Sequence, residues 1–331
     1  MSKNESLHKV LKALLRKPLS QSNIATHLTT EVDTKTVSST LQTLIDKELI
    51  VKDEKDPLYK LNTPIPFCSV IILKTTWMFK ALLCPLGYTE EIATVDLKTT
   101  DNIDGLIEQI KSSIKEFKAI YLNNEDCIKS VLIAIQANIE QGEDGLLNSS
   151  PCLNEKNIPL ASLLTNSLAI KTVAYDYAYS HKLSIRNNPT FNGENALTLG
   201  CSKGGVAIGI LTNGQIIDGQ NGTPINCSHM PYKYGFEQSL GNHSDHDTDA
   251  LMYAIQTLAP LFNLHRVIVY GSTFDDHIEA IYKVQHELKQ HQDPFFHDFV
   301  VEYHSYEFDE KHEELMILSY EALIDTLNFN D

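Results

Sequence analysis

Residues 34–42 read Thr-Lys-Thr-Val-Ser-Ser-Thr-Leu-Gln. On a helix whose inner face is Val37, Leu41, Leu44 and Ile45, the outward side chains are Thr34, Lys35, Thr36, Ser38, Ser39 and Gln42. Such side chains read base edges: Gln suits adenine, Lys suits guanine or a phosphate, and hydroxyls suit either. Lys52, Lys55 and Lys60 follow on a neighbouring strand–turn–strand, where they can meet the phosphate backbone. With Lys35 as the single cation on this helix, a second reading stays open, a small helical module that docks proteins.

Two other stretches concentrate chemistry-bearing residues. The segment 200–229 is GCSKGGVAIGILTNGQIIDGQNGTPINCSH. Gly204, Gly205 and Gly209 would suit a nucleotide loop, but without a first phosphate motif upstream a strand-turn role is favoured. His243-Ser244-Asp245-His246-Asp247 is dense in metal-ligand types. It is read as a polar loop ahead of a helix, so no metal site and no cofactor are expected. The six cysteines are scattered, with no C-x-x-C pair. In a chain this large that argues against a disulfide framework and for a reducing compartment. No apolar run approaches the ~20 residues of a membrane span, and the N-terminus has no signal-peptide core. The expected location is cytoplasmic, with no membrane partner.

The elements that must position these residues follow from hydrophobic spacing. Leu7, Val10, Leu11, Leu14 and Leu15 fall on one face of a helix from Glu5 to Lys17, which Pro18 stops. Ser20 or Ser22 caps a short second helix with Ile24, Ala25 and Leu28, and Asp33 or Thr34 caps the third. Residues 49–53 and 58–61 then form a strand, turn and strand. Three helices and a hairpin make a winged helix-turn-helix over residues 1–62, in which the third helix enters the major groove. Residues 62–66 read as a short stiff linker.

The rest alternates strands with long helices, which implies an α/β architecture. Strands are expected at 67–73, 78–84, 90–97, 131–135, 170–175, 266–271 and 298–304. Helices are expected at 103–117, 158–168, 247–261, 275–291 and 310–328. A glycine-rich strand–turn–strand spans 197–219. The net charge of −16 is unevenly spread. Residues 1–62 carry a net +2 and the remainder −18. An acidic body repels phosphates at long range, although salt shortens that reach to ~8 Å.

The glycine-rich segment resembles that of the ROK family of repressors and sugar kinases, whose pattern there is roughly G-T-G-I-G-x-G-I-I-x-x-G-x-x-x-x-G-x-x-G-x-A-G-E-x-G-H. Gly205, Gly209, Gly214, Gly219, Gly222 and His229 fall in register. Residues 145–164 resemble the family's sugar-lobe stretch, and Thr172-Val173-Ala174-Tyr175-Asp176 its strand ending in Asn-Asp. The resemblance covers nearly the whole chain in order and spacing. It implies a two-lobed, actin-like (ribonuclease H-like) body behind the winged helix. The first lobe would be residues 63–178, joined by a C-terminal helix in 310–331. The second would be 179–309 and would carry dimerisation.

The departures from the family's pattern bear on activity. Its kinases open the body with D-x-G-G-T, whose glycines let backbone N–H groups approach ATP phosphates while the Asp positions metal. Ile72-Leu73-Lys74-Thr75-Thr76 stands there instead. Isoleucine cannot hold magnesium, and Lys74 and Thr75 place side chains where the loop needs none. Lys74 is expected to be solvent-exposed. Asp176 falls at the position of the family's catalytic base. It reads equally as a remnant sugar contact or an ordinary strand-end carboxylate. Asn226 replaces the family's sugar-binding Glu, and His229 matches a residue that contacts sugar and ligates zinc in relatives. No cysteine follows Cys227, so the family's four-ligand zinc site cannot form. The acidic run 302–314 reads as a solvated face.

These features lead to a non-enzymatic regulator that binds double-stranded DNA as a dimer or tetramer. A sugar or sugar phosphate effector would contact Asp176, Asn226 and His229. Two alternatives remain open: a sugar kinase with a divergent nucleotide site, and a protein-interaction module whose actin-like body is empty.

Overall fold

The computed structural model describes residues 3–27, 34–53, 55–63, 65–123, 126–140, 142–177, 179, 195–202, 205–213, 215–219, 225, 230–232, 235–240, 246–275, 277–304 and 312–329. At residues 3, 27, 34, 35, 202, 237, 238, 246, 247, 272 and 275 only the backbone is described.

The N-terminal unit opens with α1 (Lys3–Leu14). Leu7, Val10, Leu11 and Leu14 are buried on one face, as the heptad-like spacing requires. A two-residue strand β1 (Leu19–Ser20) leads into α2 (Gln21–His27), and the Ser20 hydroxyl accepts from the Asn23 amide at 3.3 Å. Then come α3 (Thr34–Asp46), β2 (Ile50–Lys52) and β3 (Leu58–Leu61). Glu48, at φ 58°, reverses the chain between α3 and β2. The three strands pair antiparallel in the order β1-β3-β2.

The first large sheet is built from β4 (Cys68–Lys74), β5 (Phe79–Pro85), β6 (Ala93–Asp96), β7 (Ile128–Ile135) and β11 (Lys171–Asp176). Its order is β6-β5-β4-β7-β11: an antiparallel meander, then two parallel additions. Helix α4 (Ile103–Tyr121) covers one face and starts at the Asn102 cap, whose side chain accepts from the Gly105 amide. A small sheet of β8 (Asn138–Glu140), β9 (Leu146–Ser149) and β10 (Ile158–Pro159) precedes α5 (Leu160–Leu168).

The second large sheet holds β12 (Ala196–Ser202), β13 (Gly205–Thr212), β14 (Gln215–Ile217), β15 (Arg266–Tyr270) and β16 (Val300–His304). Its order, β14-β13-β12-β15-β16, repeats that of the first sheet strand for strand, including the antiparallel meander and two parallel additions. Helices α6 (Phe236–Leu240), α7 (His246–Leu261), α8 (Ser272–Asp275) and α9 (Ile278–Lys289) accompany it. The helix expected over 275–291 is present as α9, starting at Ile278 after the His277 cap, and the short α8 precedes it.

The last helix, α10 (Glu313–Ile324), packs on the face of the first sheet opposite α4. Ser130 Oγ donates to the Ser319 carbonyl at 3.1 Å, and Tyr320 Oη donates to the Pro85 carbonyl at 2.7 Å. One continuous core joins Leu7, Leu11, Leu41 and Leu44 of the N-terminal unit to Leu315, Tyr320 and Leu323 of α10 and to Ile71, Leu82 and Leu132 of the sheet. Ile65, in the segment read as a linker, is itself buried in that core, so it anchors rather than spaces. The run 302–314 is not wholly a solvated face. Glu314 is only 6% exposed and receives a two-pronged hydrogen bond from Arg16, at 2.7 and 2.9 Å. Lys12 pairs with Asp325 at 2.7 Å, and His8 Nε2 donates to the Leu327 carbonyl at 2.9 Å. The cationic side of α1 is thus docked on the acidic side of α10.

Candidate functional site

Two regions gather the residues singled out by sequence. The first is the outer face of α3 with the β2–β3 hairpin. Val37, Leu41 and Leu44 point inward and are buried, which leaves Thr36, Ser38, Ser39 and Gln42 exposed. Thr34 and Lys35 lie in the first turn of α3, but their side chains are outside the described ones. Ser38 Oγ accepts from Gln21 Nε2 at 2.8 Å, which fixes α2 against α3. Ser39 Oγ donates to the Thr36 carbonyl, and Gln42 Nε2 donates to Asp46 at 2.7 Å. Lys52, Lys55 and Lys60 are all exposed on the hairpin. Lys52 lies 5.8 Å from the Tyr59 ring centroid. Asp53 accepts from the Lys55 amide and lies 3.7 Å from Lys60 Nζ, and these contacts, the amide first, hold its carboxyl below the usual range. The hairpin tip is therefore ordered by its own carboxylate, with lysines on its outside.

The second region is the carboxyl end of the first sheet. Lys74, Ile135 and Asp176 end β4, β7 and β11 side by side, since Ile135 is the register partner of both others. Lys74 is not solvent-exposed, contrary to expectation. It is 2% exposed, and its Nζ donates to the Thr100 carbonyl at 2.7 Å, 4.4 Å from the Phe79 ring centroid. Burial pushes its ammonium below the ordinary lysine range, opposed by nearby Cys152 and Asp101. The long stem fills apolar space while the head finds a carbonyl, which is why a cation can occupy a core position.

The β4–β5 hairpin then closes on itself. The amide of Thr75 donates to the Met78 carbonyl. The amides of Trp77 and Met78 both donate to Thr75 Oγ1, at 3.3 and 3.0 Å. The Thr76 amide donates to Gln136 Oε1 at 3.2 Å, while the Gln136 amide donates to the Lys74 carbonyl. In a phosphate-cradling loop such amides point at the anion. Here the four hairpin amides, those of Thr75, Thr76, Trp77 and Met78, have internal acceptors. Sequence reasoning found Lys74 and Thr75 but missed Gln136, which only its place after the apolar run 131–135 could have flagged.

Asp176 is 9% exposed, and the neighbouring Tyr175 ring stacks on Tyr179 at 5.8 Å and 12°. Burial pushes the Tyr175 hydroxyl up to about 12. Asn226 and His229 lie outside the described residues, as do residues 243–245. Among the described residues, no group of three or more His, Cys, Asp or Glu is placed to hold a metal ion. No described helix is long and apolar enough to cross a membrane.

No protein-family model and no curated protein matches the sequence. Solved structures do match the fold. A crystal structure of a ROK family transcriptional regulator, a homologue of the E. coli MLC protein, superposes with a TM-score of 0.72 at 15% identity. That match covers 97% of this chain and 98% of the regulator. A ROK family glucokinase from Streptomyces griseus, in complex with glucose and AMPPNP, gives 0.54 at 12% identity. It covers 77% of this chain and 98% of the kinase. A ROK family protein from Streptococcus pneumoniae, in complex with sucrose, gives 0.52 at 13%, covering 79% and 98%. Over nearly its whole length, this chain has the fold of a ROK family transcriptional regulator, and over about three quarters of it the fold of the family's sugar kinases.

Proposed function

We propose that this chain is a ROK-type transcriptional regulator that binds double-stranded DNA through residues 1–62. One observation carries the reading. The match to the regulator includes the N-terminal unit and the body together, whereas the kinase matches leave about a quarter of the chain uncovered. The N-terminal unit has the helix order and hairpin of a winged helix-turn-helix, with α3 as its reading helix. Thr34, Lys35, Thr36, Ser38, Ser39 and Gln42 would contact base edges, and Lys52 and Lys55 phosphates. The body, divided into lobes at 63–178 with the C-terminal helix and at 179–309, would dimerise in the cytoplasm and set the spacing of two heads.

In this reading the body no longer transfers phosphoryl groups. Ile72 cannot ligate magnesium, and the hairpin amides that would cradle phosphate already have acceptors in Thr75 and Gln136. A sugar or sugar phosphate would enter near Asp176, Asn226 and His229. It would alter DNA affinity only by its differential affinity for the two head arrangements. The experiment is selection of duplexes from a random pool by the full chain at moderate salt. Enrichment of a two-part motif with half-sites about one helical turn or a multiple apart is expected. Recovery of an unenriched pool overturns the regulator.

A second reading, a divergent sugar kinase, draws on Asp176 at the end of β11. Trp77, the sole tryptophan, stands in the hairpin that would cradle phosphate. Unchanged tryptophan emission on adding Mg·ATP, with no sugar-dependent release of ADP, is the outcome expected of a regulator. Either a shift in emission or substrate-dependent ADP favours the kinase.

A further inference from the structure

Gln42 and Asp46 stand one turn apart on the outward face of α3, and both are exposed. Gln42 Nε2 donates to Asp46 Oδ1 at 2.7 Å. A carboxylate only accepts, so the amide nitrogen, not the amide oxygen, must face Asp46. The bond therefore fixes which way round the Gln42 amide sits. Gln42 is the side-chain partner that the described residues give Asp46.

Two electrostatic effects oppose a carboxylate at this place. Asp46 is the last residue of α3, and a helix C-terminus disfavours an anion by at least as much as such a side-chain pair returns. The last turn of α3 has no basic residue to offset it. On a face that meets DNA, the same carboxylate also repels phosphates. What it supplies is orientation. An amide nitrogen carries two hydrogens, and Asp46 takes one. Gln42 Oε1 and the second hydrogen have no partner among the described residues. An acceptor beside a donor complements the major-groove edge of adenine, whose N6 amino group donates and whose N7 accepts. Turned over, the amide would set its donor against that amino group. Ser39 adds to the preference. Its hydroxyl donates to the Thr36 carbonyl at 3.0 Å, which leaves oxygen lone pairs for the amino group of adenine or cytosine.

We propose that Asp46 is a positioning residue for base recognition. It holds the Gln42 amide nitrogen through the hydrogen trans to Oε1, and so presents Oε1 and the cis hydrogen to an adenine. The inference rests on the regulator reading, in which α3 enters the major groove. Selectivity at one base pair is gained at the expense of overall affinity, because the carboxylate repels the phosphates of every sequence alike. Removing it therefore moves selectivity and affinity in opposite directions, which a purely structural role would not do.

The test titrates the full chain by fluorescence anisotropy against the duplex enriched by selection, with each base pair replaced in turn. Gln42→Ala is expected to remove an adenine preference of about tenfold at one base pair of each half-site, which locates the contact. Asp46→Ala is expected to lower that preference to about threefold while every duplex binds about twofold more tightly. Asp46→Asn loses the charge but keeps an acceptor. It is expected to show the same tightening with the adenine preference retained. With Gln42→Ala already in place, Asp46→Ala should leave base preference unchanged. Both positions are exposed, so the variants are expected to match the unaltered chain in circular dichroism and melting midpoint. An adenine preference untouched by Gln42→Ala or by Asp46→Ala, or lost equally in Asp46→Asn and Asp46→Ala, overturns the positioning role and leaves the regulator standing. A chain that enriches no sequence overturns both.

Discussion

The two five-stranded sheets share a strand order, yet the chain turns away from them by different means. In the first, β7 ends at Ile135 and Gln136 follows, its side chain accepting from the Thr76 amide. In the second, β15 ends at Tyr270 and Gly271 follows at φ 104°. A Cβ on Gly271 would lie 2.2 Å from the Cys201 carbonyl oxygen, and one on Gly200 would lie 2.3 Å from the Tyr270 ring. The first lobe therefore closes its strand ends with side chains, and the second with close approach of backbone. The same strand order thus carries two different loop closures.

The largest expected effect breaks this comparison at Gly271. Gly271→Ala demands both a strained φ and room that the Cys201 carbonyl denies, and should cost about 3–5 kcal/mol. Gln136→Gly at the matching place in the first lobe should cost only about 1–2 kcal/mol. Denaturant midpoints of the two variants measure the gap, and equal losses would remove the distinction.

Docking of the N-terminal unit on α10 comes next. Arg16→Ala leaves Glu314, 6% exposed, without the guanidinium that binds it through two oxygens. A loss of about 2 kcal/mol is expected, less than for a fully buried pair because the Arg16 side chain is 39% exposed. Adding Glu314→Gln should recover part of it, as a double-mutant cycle on thermal unfolding would show.

Sealing of the β4–β5 hairpin can be probed by Thr75→Val, which removes the acceptor of the Trp77 and Met78 amides. About 1–2 kcal/mol should be lost. The emission of Trp77 should change as its turn loosens, and unchanged emission would show that the hairpin does not depend on that hydroxyl.

The smallest effect is on pH dependence. Burial raises the Glu321 carboxyl above its ordinary 4.5, with Asp325 and Glu314 adding to the rise and Lys12 and Arg16 opposing it. A carboxyl raised on folding favours the folded state when protonated. Its contribution is present below the ordinary value and is lost as pH rises through the folded one. Glu321→Gln should therefore stabilise the chain at pH 7, by less than about 1 kcal/mol. The gain should vanish at about pH 4, and melting at both pH values reads it.

Much of the element order was legible because burial imposes periods. The α1 stripe from Leu7 to Leu14, the run 131–135 and the strand ending at Asp176 all follow from that rule. The start of α9 was legible only to within three residues, because residues 275–277 carry no apolar side chain to mark it. Lys74 was misjudged because residue type predicts exposure, whereas a long stem with one carbonyl at its tip can be buried. Glu314 was misjudged for a related reason, since its partner Arg16 is 298 residues away. The repeated strand order was hidden because Ile72-Leu73-Lys74 and Gly200-Cys201-Ser202, which end the matching strands, share no side-chain pattern. For the face proposed to read DNA, sequence and structure agree on Thr36, Ser38, Ser39 and Gln42 as outward-facing. For the proposed sugar contacts, Asp176 is placed at the strand end, while Asn226 and His229 lie outside the described residues.

The central claim is that α3 and its hairpin read DNA sequence. Fluorescence anisotropy of the full chain on a selected duplex and on its scrambled counterpart, at about 0.15 M salt, measures this directly. The account predicts a preference of about 10³-fold or more for the selected duplex, the lower end for specific regulators. It also predicts that Gln42→Ala erodes that preference, while Lys52→Ala and Lys55→Ala weaken both duplexes alike. Equal affinity for the two duplexes in the unaltered chain would contradict it.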